Sequence, residues 1–125
     1  MKLIIVKNGI NRKFEISSDK LSGLSSVLSE VAFIFRMKKY VMESVKNKEF
    51  ISYSFNMSGI QIVDSDYFIL FGLYDPDDDD LQYQLKVPQQ AFWDLLDEYS
   101  KVINTDWKKI IIDFDGNKFD IKVEN

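Results

Sequence analysis

The stretch LYDPDDDDLQY, residues 73–83, sets Asp75, Asp77, Asp78, Asp79 and Asp80 around one proline, between two segments that read as core β-strand. Closely spaced carboxylates can hold a divalent cation, act as an acid–base pair, or present charge to a basic partner. Asp75, Asp77 and Asp79 fall at alternate positions, like the opening ligands of an EF-hand loop. The match stops there, because the sixth position is Asp80 rather than glycine, the twelfth is Lys86 rather than glutamate, and the flanks read as strands. Asp113-Phe114-Asp115-Gly116 suggests a second metal corner, but Asp-Gly is already accounted for there by a hairpin turn. No Gly-rich phosphate loop, nucleophile elbow or metalloprotease helix occurs.

Two absences narrow the chemistry further. Without cysteine the chain has no disulfide, no thiolate and no sulfur-ligated zinc. Without histidine it lacks the usual neutral-pH general base and the commonest transition-metal ligand. The expectation is a protein that is not an enzyme and uses no cofactor and no metal.

The elements that must carry these carboxylates are legible in the patterning. With 125 residues, 46% of them hydrophobic and 29% charged, the chain can bury a real core, and a single domain over residues 1–125 is expected. Three Gly-containing turns, Asn8-Gly9, Ser58-Gly59 and Asp115-Gly116, sit between apolar segments and predict hairpins. Ile51, Tyr53, Phe55 and Met57 alternate with Ser52, Ser54, Asn56 and Ser58, predicting a half-buried strand, and Phe119, Ile121 and Val123 alternate with charged residues in the same way. Leu81, Tyr83, Leu85 and Val87 form another alternating set. Residues 67–74, YFILFGLY, are apolar on both faces and predict a central strand covered on both sides.

Helical spacing appears twice. Leu21, Leu24, Leu28, Val31 and Phe35, extended by Val41 and Val45, form one stripe from about Asp19 toward Lys48, with a break anticipated between Ser29 and Ala32. Pro88 suits a first helical turn, Phe92, Leu95, Leu96, Tyr99 and Ile103 form a second stripe, and Asn104 is a stop. The resulting order, ββ, α, a four-strand meander, α, ββ, predicts an α+β fold: a mostly antiparallel sheet built from hairpins, with two helical segments packed on it. The opening MKLIIVKNG is too short an apolar stretch for a signal peptide, and runs such as residues 31–35 cannot span a bilayer. A soluble, cytoplasmic protein with no membrane partner is expected.

Charge is distributed unevenly along this order. Residues 1–48 hold ten Lys or Arg against four Asp or Glu, whereas residues 49–125 hold six against sixteen. No cation occurs from Glu49 to Leu85, a span that includes Asp64, Asp66, Asp75 and Asp77 to Asp80. Two carboxylates roughly 7 Å apart in water repel by only about 0.6 kcal/mol, so a four-aspartate loop costs about 1–3 kcal/mol in total, which a domain tolerates. A solvated hairpin tip is therefore one reading of the run, and a docking surface for a basic protein is the other. A second acidic strip, Asp94, Asp97 and Glu98, lies off the apolar stripe of the second helix beside Trp93, a residue type enriched at interface hot spots and equally at home in a core.

On these residues, Asp75 with Asp77 to Asp80 and Asp94, Asp97 and Glu98, the chain resembles the small acidic immunity proteins that bacteria make against delivered toxins. The likeness is one of size, charge and helix-plus-sheet pattern. It implies a cytoplasmic inhibitor that occludes a basic toxin domain, such as a nuclease, with its carboxylates. The net-basic first segment, with Arg36, Lys38, Lys39, Lys46 and Lys48 crowding one helical region, departs from the simplest such protein. An overall pI near 4.8 disfavours nucleic acid as a partner. The two-signed surface also fits head-to-tail self-association, making a homo-oligomer an open expectation.

Overall fold

A computed structural model describes residues 1–73 and 83–125. Hairpins from the two ends of the chain zip together into one sheet, and the middle of the chain forms a second. Lys2–Asn8 (β1) pairs antiparallel with Asn11–Ile16 (β2). A 3₁₀ turn at Asp19–Leu21 then leads into helices Ser22–Ser29 (α1) and Val31–Lys46 (α2). Strands Ser52–Ser54 (β3), Ser58–Ile62 (β4), Tyr67–Gly72 (β5) and Leu85–Pro88 (β6) form an antiparallel meander in sequence order. Helix Gln89–Val102 (α3) leads to the final hairpin, Lys109–Phe114 (β7) and Phe119–Glu124 (β8). β1 and β7 join the terminal hairpins in the order β2-β1-β7-β8. The expected α+β class is thus realised as two four-stranded antiparallel sheets and three helices.

Period-2 patterning explains the buried faces. On the inner face of the first sheet, Leu3, Ile5, Ile110, Ile112 and Phe114 are all buried, while β2 and β8 place Phe14, Phe119 and Ile121 more openly at its edges. In the second sheet Ile60, Ile62, Phe68, Leu70, Leu85 and Val87 face inward. One apolar cluster joins these residues to Leu24, Leu28, Ile34 and Val41 of the first two helices and Phe92, Leu96 and Tyr99 of α3. β5 is an inner strand, as expected, but it is covered fully on one side only: Phe68 and Leu70 are buried, whereas Tyr67, Ile69 and Phe71 remain half-exposed.

The anticipated helix break falls at Glu30 (φ −130°, ψ 35°) between α1 and α2. Its carboxylate receives the Met57 N–H (3.1 Å) and the Ser58 hydroxyl, so the break is tied to the β3–β4 turn. This tie also explains why that turn is not at Ser58-Gly59. The Phe55 N–H bonds to Ser58 O (2.8 Å), which makes Asn56-Met57 the loop, draws Ser58 inside and leaves Met57 exposed. The other two hairpins are displaced by one residue. Asn8 pairs with Asn11 around Gly9-Ile10, and Asp115 faces Lys118 around Gly116-Asn117. Each glycine takes the first central position, with φ +64° at Gly9 and +100° at Gly116 and no positive φ at the residue after it, the type II′ arrangement. The Asp115 carboxylate accepts N–H bonds from Asn117 (2.8 Å) and Lys118 (2.9 Å), which hold it below the usual carboxylate range.

α1 lies against the backbone of β5 at a glycine. A Cβ on Gly23 would sit 2.7 Å from both Cα and N of Phe71, and main chain cannot move aside as a side chain can. Helix propensity alone favours alanine there by about 1 kcal/mol. Overpacking costs about 1–3 kcal/mol and dominates, so Gly23→Ala is expected to lower the urea midpoint at unchanged m-value.

Tyr99 provides a pH-dependent check on how α3 seats on the first sheet. Burial pushes its phenol above the ordinary value, and the Arg12 guanidinium, 3.4 Å from the hydroxyl, partly opposes that shift. The unfolded chain ionises its tyrosines near pH 10, so this contribution to stability is complete below that pH and is lost as pH rises through the folded value. Unfolding free energies measured from pH about 8 to about 11 should fall more steeply for the wild type than for Tyr99→Phe.

Candidate functional site

The residues brought forward by the sequence divide into three groups. Asp75, Asp77, Asp78, Asp79 and Asp80, with Leu81 of the alternating set, lie outside the described residues. Asp94, Asp97 and Glu98 are exposed on α3, on the side away from Phe92, Leu95, Leu96 and Tyr99. Trp93 belongs to the core: it is 3% exposed, and its ring lies 4.9 Å from Phe92 and 5.8 Å from Phe68 between centroids. Its indole N–H is directed at Met42 Sδ (3.1 Å), and the Lys38 ammonium stands 5.4 Å from the ring. The basic part of α2 thus reaches the acidic helix through Trp93.

The start of α3 is bolted to the β4–β5 turn by one buried side chain. Gln89 donates its Nε2 protons to Asp64 O (2.9 Å) and Tyr67 O (3.4 Å), and its own N–H to Asp66 O (2.9 Å). Within the turn, Asp64 Oδ1 accepts the N–H groups of Asp66 (2.8 Å) and Tyr67 (2.9 Å), an Asx turn that leads into β5. Asp64 is thereby used locally, while the exposed Asp66 carboxylate is carried to the first turn of the helix.

Two depressions flank that turn of helix and share Pro88 and Gln90 as a wall. One, about 500 Å³, is bounded by Met42, Asp66, Tyr67, Gln89, Gln90 and Trp93. The other, about 310 Å³, lies between α3 and the β7–β8 hairpin and takes in Asp94, Leu95, Glu98, Lys118 and Phe119. The Gln90 amide donates to Asp94 Oδ1 (2.8 Å) on the dividing wall. Asp66 thus borders the larger hollow and Asp94 and Glu98 the smaller one, and none of the three belongs to an ion pair among the described residues. Asp97 differs, since it pairs with Lys101 at 2.9 Å, an exposed i,i+4 contact worth a few tenths of a kcal/mol. Lys118 adds a cation to the far wall of the smaller hollow.

Sequence reasoning noticed Asp66 only as part of the cation-free span and missed Gln89 and Gln90. Asp64-Ser65-Asp66 before an apolar strand was the available signal for the Asx turn, but nothing local showed that this turn meets α3. Among the described residues no group of three or more Asp, Glu, His or Cys is arranged to hold a metal ion, and no helix is long and apolar enough to cross a membrane. No protein-family model matches the chain, and neither a curated protein nor a solved structure does.

Gln89→Ala removes the side-chain donor of Asp64 O, while Tyr67 O keeps the Val63 N–H and Asp66 O keeps the backbone N–H of residue 89; it should cost about 1–2 kcal/mol, whereas Asp94→Asn and Glu98→Gln should stay within about 0.5 kcal/mol of wild type. Chemical unfolding of the three variants measures the contrast.

Proposed function

We propose that the chain is a non-enzymatic binding protein of the immunity type, which seats a basic protein, such as a toxin's nuclease domain, on the carboxylates Asp66, Asp94 and Glu98 of the two adjoining hollows. The observation that carries this reading is the pair of adjoining hollows bordered by three carboxylates outside every described ion pair. Carboxylates outside the described ion pairs are available to a partner's Lys or Arg, although Lys118 stands on the wall of the smaller hollow. The hollows offer what such side chains need: apolar walls for the methylene stems, from Tyr67, Pro88 and Phe119, and an acceptor beside each wall. Complementary charge also speeds encounter and discriminates against acidic or neutral competitors. Asp97, already held by Lys101, contributes to the field more than to direct contact. Trp93 acts from beneath, as the fixed floor of the larger hollow. Asp75 and Asp77 to Asp80 belong to the same cation-free span of sequence as Asp66 and raise the chain's overall negative charge.

Occlusion follows from the same arrangement. A nuclease cleft is built to hold phosphate oxygens with cations, and rigidly presented carboxylates compete for those cations without offering a bond to cleave. The test is affinity capture from the source organism with the immobilised wild type and with Asp66→Asn/Asp94→Asn/Glu98→Gln. A basic protein should be retained by the wild type, released by moderate salt, and held at least about tenfold more weakly by the variant. Equal retention with the same salt dependence would remove these residues from the interface.

A further inference from the structure

We infer that β8 is a self-association edge: two copies pair β8 with β8, antiparallel about Ile121, and close a twofold dimer in which the two sheets become continuous. The proposal is independent of the acidic docking surface. β8 is the last strand of the order β2-β1-β7-β8, six residues long and free of proline and glycine. Among the described residues no strand pairs with its outer side.

The phase of its backbone follows from the β7–β8 register. Asp115 N–H donates to Lys118 O, and pairing continues as Asp113 with Asp120, Ile111 with Lys122 and Lys109 with Glu124. In an antiparallel ladder, donor and acceptor groups alternate between the two sides of a strand. Lys118, Asp120, Lys122 and Glu124 therefore turn their backbone groups toward β7, and Phe119, Ile121 and Val123 turn theirs outward. Two such edges hydrogen-bond in phase when odd residues oppose odd residues, which leaves three central registers. Centring on Lys122 sets Lys122 against Lys122 and Asp120 against Glu124. Centring on Asp120 sets Asp120 against Asp120 and Lys118 against Lys122. Centring on Ile121 alone opposes unlike charges: Asp120 of each copy meets Lys122 of the other, while Phe119 meets Val123 and Ile121 meets Ile121.

Two further observations favour this edge over β2. Within the chain, Asp120 stands opposite another carboxylate, Asp113, and neither Asp120 nor Lys122 belongs to an ion pair among the described residues. A lysine arriving from a second copy would offset a like-charge pair already present. β2 also has a self-complementary register, Lys13 with Glu15, but these two already pair with each other at 3.6 Å, and Glu124 is taken by Lys109 at 3.7 Å. A head-to-tail β2–β8 joint that used these residues would have to break those contacts. The apolar side of β8 is also less covered than that of its neighbour: Val123 is 39% exposed, against 0% for Ile110 opposite it.

The experiment is sedimentation velocity on the full chain from micromolar to sub-millimolar concentration, with the charge variants Asp120→Lys and Lys122→Asp. Both positions are solvent-facing, so folding is expected to survive and is checked by circular dichroism. The wild type should form dimers and nothing larger. Each variant alone sets like charges against each other at both pairs and should dimerise about tenfold more weakly or worse. Mixed in equal amounts, the two variants oppose Lys to Asp at both pairs and should recover a mixed dimer. A wild type that stays monomeric throughout, growth beyond the dimer, variants that dimerise like the wild type, or a mixture that fails to recover would each overturn the inference.

Discussion

The contact on which the described molecule turns is the edge-to-face cluster of Phe68, Phe92 and Trp93, with ring centroids 4.9 to 5.8 Å apart. Phe68 belongs to β5, in the meander sheet, and the other two rings belong to α3. Aromatic side chains bury large areas and have few rotamers, so this cluster sets the rotation of the helix about its axis and not merely its distance from the sheet. One turn on, Leu95, Leu96 and Tyr99 continue the buried stripe, and Tyr99 meets Arg12 of β2. α3 thereby joins both sheets, and its rotation leaves Asp94, Asp97 and Glu98 facing outward. The outward placing of these three carboxylates results from where the aromatic residues must go.

A second constraint fixes where Asp66 stands beside the helix. Backbone carbonyls seek donors, and those of Asp64 and Asp66 find theirs on Gln89, which also shares Tyr67 O with the Val63 N–H. The turn before β5 is therefore held against the helix that follows β6, and a carboxylate far away in sequence joins two on the helix. At the other end of β4 Glu30 does comparable work, receiving Met57 N–H and the Ser58 hydroxyl at the helix break. In both places a polar side chain, rather than apolar burial, decides where a turn falls.

This division explains what could be read from the sequence. Period-2 and period-3.6 patterning gave the element order, the helix break and the stripe of α3, because burial follows hydrophobicity closely in segments of that length. Turn positions were less legible. A glycine between strands marks a tight turn, but it fits either central position, and Gly9 and Gly116 take the first. Ser58-Gly59 looked like a turn pair and is part of a strand, because a distant glutamate bonds the serine. At the candidate site the exposed carboxylates of α3 were legible from their place off the apolar stripe. Trp93 was ambiguous on the same grounds, since its type suits a core as well as an interface. The link from Asp66 to Gln89 was illegible, because it depends on two elements meeting in space.

The proposed basic partner is expected to lie across the two hollows at the start of α3. Amide and indole chemical-shift mapping of the isotope-labelled chain, titrated with the captured partner, tests it most directly. The largest shifts should fall on Asp66, Gln90, Asp94 and Glu98, with the Trp93 indole N–H responding from beneath. Shifts confined to the lysine-rich face of α2 or to the β1–β2 hairpin, with Asp66 and Asp94 unmoved, would contradict it.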